Sequence, residues 1–213
     1  MKKWDFVENF NGQEKFDSIW EDDSTSDSPR SYYLENGNLK ITTRANSYDR
    51  VNVKTIENSF GAGVYHWKIY VPQFDLRDQC SIGAFLYHEQ EGDVNYELDF
   101  EIGSGTSEHR AALEANSNEV LVHCTSHFLP FSTERFVIES ERWYDFRIEL
   151  KSVNRKYVAN WYIDNRLVKS LTTEMNTDIK FAIHNSLENL KFMGDQQPVK
   201  ENYTLMALTS YRK

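Results

Sequence analysis

The sequence predicts an all-β sandwich, and three observations support this fold class. Short runs of alternating apolar and polar residues recur along the chain, separated by turn residues such as Asn36-Gly37. No stretch shows a sustained helical period. Tyr (12) and Phe (13), which favour strands, bring the aromatic fraction to 14%. We therefore expect many short strands that pack as two sheets.

The strands are predicted in chain order from these runs. An alternating segment at 6–10 comes first, and the acidic, serine-rich segment 21–30 predicts a loop. The Asn36-Gly37 turn joins two strands of a hairpin, because that dipeptide suits a two-residue turn. Within the later connection 103–118, residues 110–113 are predicted as a short strand. The other predicted strands are 50–55, 63–71, 81–88, 96–103, 120–126, 136–139, 143–150, 157–163, 166–171, 180–184 and 203–211, with a turn at 89–93.

The strand at 96–103, Tyr-Glu-Leu-Asp-Phe-Glu-Ile-Gly, carries the strongest functional signal. Successive side chains of a strand point to opposite faces, so Glu97, Asp99 and Glu101 share one face above an apolar one. Three carboxylates on one face repel each other and reduce stability, a cost that function often explains. The alternative is an ordinary strand with a solvated acidic face, and this pattern alone leaves the two interpretations even.

The spacing of the outer carboxylates suits a glycosidase. The Cα atoms of Glu97 and Glu101 are expected about 13 Å apart at ~3.3 Å per residue. If the side chains lean together, the carboxyl groups approach to roughly 5 Å, the separation found in retaining glycosidases. Asp99 between them would hold the two in different ionisation states.

The Glu-x-Asp-x-Glu pattern resembles the catalytic strand of glycoside hydrolase family sixteen, the laminarinase and lichenase group. Three other segments are similar to motifs of that family, in the same order along nearly the whole chain. FGAGVYHWK at 60–68 resembles its Gly-x-Gly-x-Tyr-Glu strand, and WYIDN at 161–165 resembles its Trp-Tyr-Val-Asp-Gly hairpin. FAIHN at 181–185 resembles a late cleft strand that often ends in Trp-Asn.

The resemblance implies a concanavalin A-like jelly-roll sandwich of two curved antiparallel sheets, with the cleft on the concave side. It implies one domain over residues 1–213. It also implies that Glu97 is the nucleophile, that Asp99 assists, and that Glu101 is the acid/base.

Residues for substrate binding follow from strand phase and from the resemblance. Asn95 shares the acidic face and stands where the family often has Trp, and Tyr87 lies on the preceding strand. His123 is expected on a strand beside the catalytic one, where a structural histidine is the equal alternative. The remaining candidates take positions of family cleft residues: His66, His184 and Asn185.

Composition limits the partners and cofactors. The net charge of −9 and the pI of about 5.2 argue against nucleic acid or an anionic membrane as partner. No apolar run reaches membrane-spanning length, and we expect a monomer that takes a carbohydrate substrate. No cofactor is expected. No metal is expected either, because Ala207 stands where several family members have a calcium-binding Asp.

Two further features concern the cellular compartment. The residues after Met1-Lys2-Lys3 form no hydrophobic segment, so the chain as written carries no signal peptide. Either the protein is cytoplasmic or it is secreted with a leader removed. Cys80 and Cys124 do not form a disulfide framework, and the sequence leaves open whether they pair with each other.

Three functions are therefore compared. The first is a retaining endo-glycosidase on a β-linked glucan or galactan. The second is a non-catalytic carbohydrate-binding module on the same fold, which the replacements at His66, Asn95 and His184 favour. The third is a purely structural domain. Retention of all three acids favours the enzyme, because a binding module has little reason to keep carboxylates that repel each other.

Overall fold

Two antiparallel β-sheets pack face to face in the computed structural model, which describes residues 5–25, 27–89 and 95–213. The predicted all-β jelly-roll sandwich is confirmed. The predicted turn at 89–93 and the segment that follows Met1 lie partly outside the described residues.

The first sheet has eight strands within the described ranges. The central path runs β13 (Arg166–Asn176), β12 (Lys156–Ile163), β11 (Arg142–Val153), β6 (Gly63–Val71), β15 (Asn202–Arg212), β4 (Asn38–Thr43) and β3 (Tyr32–Glu35). The eighth strand, β1 (Phe6–Glu8), pairs with β15. Every pairing in this sheet is antiparallel.

The second sheet has seven described strands and carries the acidic segment. Its order is β10 (Ser132–Glu139), β9 (Glu119–Ser126), β8 (Tyr96–Gly103), β7 (Cys80–His88), β14 (Ala182–Asn189), β5 (Arg50–Thr55) and β2 (Trp20–Asp22). The acidic strand β8 therefore lies inside the sheet, fixed by hydrogen bonds to β7 on one side and β9 on the other.

Helical structure in the described part of the chain is limited to α1 (Gln13–Ile19), α2 (Ser107–Ala112) and a 3-10 turn at Lys191–Met193. None of these helices is long and apolar enough to cross a bilayer. The strand predicted at 110–113 is wrong, because α2 occupies most of it. The Thr106 side chain accepts from the His109 amide at 3.2 Å and caps the helix. Arg110 is buried and donates to the Ser104 carbonyl at 2.7 Å.

The core lies between the two sheets and follows the alternation of the strands. Leu98, Phe100 and Ile102 of β8 are fully buried against residues of the opposite sheet. The Phe100 and Phe146 rings, one from each sheet, lie 5.1 Å apart. Full burial of such side chains stabilises the fold by about 1.5–3 kcal/mol each. Both Cys80 and Cys124 are buried free thiols.

Trp161 joins the two sheets directly beneath the acidic strand. It is fully buried on β12, and its indole Nε1 donates to the backbone carbonyl of Asp99 at 2.9 Å. Lys169 packs over the same ring, with Nζ 4.9 Å from the ring centroid, and donates to the Cys124 carbonyl at 2.8 Å. The strands that carry the acidic face are thus held from below by polar contacts as well as by packing.

Replacing Trp161 by Phe should lower the free energy of unfolding by about 1–3 kcal/mol, because it leaves a buried carbonyl without its donor. Urea denaturation measures this change. Trp143→Phe is the matched control, since Trp143 is 36% exposed and its replacement should change stability by less than about 0.5 kcal/mol. Equal losses in the two variants would contradict a bond that ties the sheets together.

Candidate active site

A cleft of about 630 Å³ lies on the outer face of the seven-stranded sheet. Glu97 and Glu101 both line it, while the apolar residues between them face the core. The cleft crosses the sheet from β8 through β7 and β14 to β5 and β2, since residues of all five strands or their ends line it. A volume of this size is typical of a site for a small molecule or part of a polymer.

The register of the strands places a glycine beside Glu101 in the floor of the cleft. Glu101 pairs with Gly83 on β7, and Gly83 pairs with Ser186 on β14. A Cβ atom at position 83 would overlap the Ser186 hydroxyl and lie 3.2 Å from the Phe85 ring. A larger residue at this point of the floor would require Ser186 or Phe85 to move.

Asp99 is fixed in one orientation between the two glutamates. It is 1% exposed, and its Oδ1 accepts from the Thr125 backbone amide at 3.1 Å. Its Oδ2 lies 2.9 Å from Nε2 of His127. The backbone amide of His127 also donates to the Glu97 carbonyl at 3.0 Å. His127 thus contacts the acidic strand through both its side chain and its backbone.

Burial and mutual repulsion raise the pKa values of the carboxyl groups. Loss of solvent and the neighbouring Asp99 raise the pKa of Glu97 to about 8. Burial, Asp99 and Glu97 raise the pKa of Glu101 to about 9. The charge of His127 opposes the rise at Glu97, whereas Asp99 itself has its pKa raised by burial against the pull of His127. The pKa of His127 is raised, chiefly through its contact with Asp99.

A fourth carboxylate, Glu188, also faces the cleft. It lies on β14 and accepts from Nε of Arg50 on β5 in a short ion pair. The negative charge of Glu188 raises the pKa of both Glu97 and Glu101, and Arg50 lowers both. The acidic face is therefore wider than the single strand on which the sequence motif lies.

Sequence analysis missed both His127 and Glu188, although a weak signal marks each. His127 directly follows β9, the strand next to the acidic one, and continues the phase of His123 and Thr125. Glu188 shares the phase of His184 and Ser186 on β14. Both lie beyond the predicted strands 120–126 and 180–184, and no motif singled them out.

Three of the six predicted substrate-binding residues line the cleft: Asn95, Tyr87 and His184. Tyr87 pairs across the strands with Glu97. His184 is buried and stacks on Phe85 with ring centroids 4.4 Å apart. Burial lowers the pKa of His184 to about 3, so this ring is neutral at physiological pH. Its Nδ1 lies 3.1 Å from the side-chain amide nitrogen of Asn52.

The other three predicted substrate contacts do not line the cleft. His66 lies on β6 in the opposite sheet, with Nε2 2.7 Å from Oδ1 of Asp145. Asn185 has the phase opposite to His184, so it points between the sheets, where its Oδ1 accepts from Thr209 at 3.1 Å.

His123 pairs with Glu101 and shares its face, as predicted, but it does not line the cleft. The His109 ring of α2 lies 5.6 Å away, and His123 is buried. Burial and nearby Arg135 lower its pKa to about 3. The helix that the sequence missed therefore removes His123 from the site.

One group of side chains offers ligand atoms for a metal ion. One oxygen each of Glu97 and Asp99 and one ring nitrogen of His127 lie within 4.8 Å of one another. Because Nε2 of His127 already faces the Asp99 carboxylate, this histidine would have to exchange an ion pair for a metal bond. The prediction that the protein needs no metal or cofactor stays a prediction.

The double variant Glu97→Gln/Glu101→Gln should be more stable than the wild type, increasingly so as pH rises. Both native pKa values lie above the ordinary 4.5, so above that pH the native state keeps protons that the unfolded chain has lost. The free energy of unfolding of the wild type therefore falls as pH rises toward 9. At pH 9 the variant should be at least ~1 kcal/mol more stable, by urea denaturation. A difference that stays constant from pH 5 to pH 9 would contradict the raised pKa values.

Comparisons with known proteins show the fold. No protein-family model matches the chain, and no curated protein matches it. Among solved structures, the chain is similar to a β-glucanase of Bacillus licheniformis, with 14% identity, all of both chains covered and a TM-score of 0.67. It is similar to the catalytic domain of an endo-1,3-β-glucanase (laminarinase) of Thermotoga petrophila, with 13% identity, 99% and 98% of the two chains covered and a TM-score of 0.68. It is also similar to porphyranase B of Zobellia galactanivorans, with 15% identity, 97% and 90% covered and a TM-score of 0.67. The chain thus has the concanavalin A-like fold that the sequence predicted, in the form found in β-glucanases and a porphyranase.

Proposed function

We propose that this protein is a retaining endo-acting glycoside hydrolase, which cleaves internal bonds of a β-linked glycan. The observation that carries the proposal is the pair Glu97 and Glu101, which face one cleft with the buried Asp99 between them. Two carboxyl groups on one side of a cleft are what double displacement at an anomeric carbon requires. The likeness of fold to endo-acting β-glucanases supports the proposal. We further propose that residues 1–213 form one catalytic domain, supported by a core shared between both sheets.

The reaction assigns one role to each glutamate. The Glu97 carboxylate attacks the anomeric carbon while the protonated Glu101 carboxyl gives its proton to the leaving glycosidic oxygen. Glu101, now ionised, takes a proton from water, and the resulting hydroxide displaces Glu97 with a second inversion. The anomeric configuration is therefore retained, and both groups return to their starting protonation states.

The position of His127 supports this assignment rather than its reverse. The nucleophile must ionise, and the positive His127 lowers the pKa of Glu97 against the effect of burial. His127 is not among the charges that act most on Glu101, whose pKa burial and the neighbouring carboxylates raise, so its proton stays available for the leaving group. His127 holds the Asp99 carboxylate by an ion pair and so acts as a positioning residue for the charge between the two glutamates.

The charges that line the cleft favour a glycan without anionic groups. Six carboxylates line it, against two permanent cations: Glu21, Asp23, Glu89, Glu97, Glu101 and Glu188, against Arg50 and Lys54. Both cations are already paired. Arg50 bonds Glu188, and Nζ of Lys54 lies 3.0 Å from Asp23. Even with Glu97 and Glu101 protonated, four carboxylates face these two cations. A sulfate or carboxylate on the sugar would therefore meet an excess of negative charge, with no unpaired cation among the described lining residues.

A binding module remains the second candidate, and one observation favours it. Asn95 lines the cleft where the family often has a Trp, so the stacking surface expected at that point is missing. The Phe85–His184 pair provides aromatic surface deeper in the cleft instead. The activity of the acid variants separates the two candidates.

Replacing Glu97 by Ala should reduce the release of reducing ends from the best substrate in a panel of β-1,3- and β-1,4-glucans, agars and carrageenans by on the order of 1,000-fold or more. The fold should persist because a repelling charge is removed. Added azide should restore turnover of an aryl glycoside and give a glycosyl azide of inverted configuration. This small anion enters the space that Glu97 leaves and attacks the anomeric carbon in its place.

Glu201→Ala is the control for this experiment, because Glu201 is exposed and lies outside the cleft. It should keep wild-type turnover. Full turnover in Glu97→Ala without azide would overturn the assignment of the nucleophile. Binding of glycan by the wild type with no product on any member of the panel would instead support the binding module.

A neutral glucan should be cleaved at least about tenfold faster, in kcat/KM, than the same glucan after sulfation, because the lining carboxylates repel the sulfates. The ratio should shrink in 0.5 M salt, where screening is stronger than at a Debye length of ~10 Å in 0.1 M salt. A parallel Asp23→Asn variant, which removes one repelling charge and leaves Lys54 less compensated, should reduce the ratio further. Equal cleavage of both forms at low salt would contradict this charge selection.

A further inference from the structure

A second groove, of about 590 Å³, lies at the edge of the sandwich between α1, the edge strand β2 and the edge strand β3. Trp20, Arg30, Tyr32 and Tyr33 contribute to its walls. Neither the catalytic residues nor the resemblance to known enzymes gives this groove a role.

The groove continues directly from the cleft. A row of paired residues crosses the sheet from the catalytic strand to its edge: Asp99, Phe85, His184, Lys54 and Glu21. All of them share one face, because cross-strand partners do. Glu21, at the end of the row, lines both the cleft and the second groove. A chain that leaves the cleft along this row therefore reaches the groove at Glu21.

The length of the row suits a polymer. From β8 to β2 there are four steps between neighbouring strands, which amount to ~19 Å at ~4.8 Å a step. One unit of an extended β-linked glycan is about as long as one such step, so about four sugar units span the row. A longer chain must continue past Glu21, whereas a short oligosaccharide ends within the cleft.

The walls of the groove have the chemistry that recognises a neutral sugar. Tyr33 is 46% exposed, and Nζ of Lys40 lies 5.5 Å from its ring centroid on one side. The exposed part of the ring suits the apolar face of a pyranose. The Arg30 guanidinium lies 4.9 Å from the Tyr32 ring centroid, where its outer edge can donate to hydroxyl groups. Nε1 of Trp20 and the hydroxyl of Tyr32 are buried without a hydrogen-bond partner among the described residues.

We propose that this groove is a distal binding site for the same neutral glycan chain that the cleft cleaves, with Tyr33 as its stacking surface. The inference rests on the proposed hydrolase function. It adds a dependence on chain length that the catalytic residues alone do not produce.

The test compares β-1,3-glucan oligosaccharides of three and ten units, or the same lengths of whichever panel glycan is cleaved. In the wild type, kcat/KM should be higher for the ten-unit chain. Tyr33→Ala should lower the ratio of the two values about tenfold, mainly through KM, and Arg30→Ala should lower it in the same direction. Tyr33→Phe should keep the ratio, because the ring face remains.

Tyr203→Ala is the matched control. Tyr203 is 38% exposed on β15, two strands from Tyr33 in the same sheet, and lies outside the groove. Lys40, on the strand between them, lies over both rings. This variant should keep the wild-type ratio. An unchanged ratio in Tyr33→Ala, or an equal fall in Tyr203→Ala, would overturn the proposal.

Calorimetry on the Glu97→Ala background separates this proposal from the proposed function. If the wild type cleaves neither length, the hydrolase function fails while the groove is still judged by binding. Weaker binding of the ten-unit chain after the added Tyr33→Ala change supports the groove. Equal binding by both proteins overturns it.

Discussion

The position of β8 inside the seven-stranded sheet is the constraint on which the rest of the site depends. Hydrogen bonds to β7 and β9 fix its register, and the indole of Trp161 holds the Asp99 carbonyl from below. With the backbone held in this way, the alternation of the strand forces Glu97 and Glu101 onto the outer face. Both side chains therefore stay on the face that also carries Asp99 and Glu188, so the core stabilises an arrangement that electrostatics opposes.

Protonation of the carboxyl groups and a few nearby cations reduce the repulsion between the carboxylates. Raised pKa values keep part of the acidic face neutral, and Arg50 and His127 each compensate one carboxylate. The same balance supplies what hydrolysis needs, namely a buried carboxyl group that keeps its proton and a neighbour whose ionisation a positive charge favours. The clustered carboxylates thus lower the stability of the fold and at the same time supply the groups for the proposed activity.

Much of the fold was predictable because the alternation of polar and apolar residues can be read from a short stretch of sequence. The alternation of polar and apolar residues gave the strands and the face of each acid. Local pattern could not give α2, since a four-residue run is ambiguous and the helix depends on the Thr106 cap and on the buried contacts of Arg110. That helix in turn decides that His123 is covered.

The position of a residue in a family motif does not predict which way its side chain points, whereas its phase on a strand does. Asn185 and His66 were selected by their place in family motifs, and both face away from the cleft because phase and sheet decide orientation. His127 and Glu188 had the correct phase but no motif. Their roles arise from partners distant in sequence, Asp99 and Arg50, which only the folded chain brings together.

Gly83 has a consequence for recognising other proteins of this kind. Its missing side chain leaves room for the Ser186 hydroxyl and the Phe85 ring, which a Cβ atom there would meet. A chain that kept all three acids but carried a larger residue at this position would have to move Ser186 or Phe85 in the floor of the cleft. The residue opposite the last acid therefore constrains the floor as well as the acidic strand, and it can be found in a bare sequence once the register of the two strands is known.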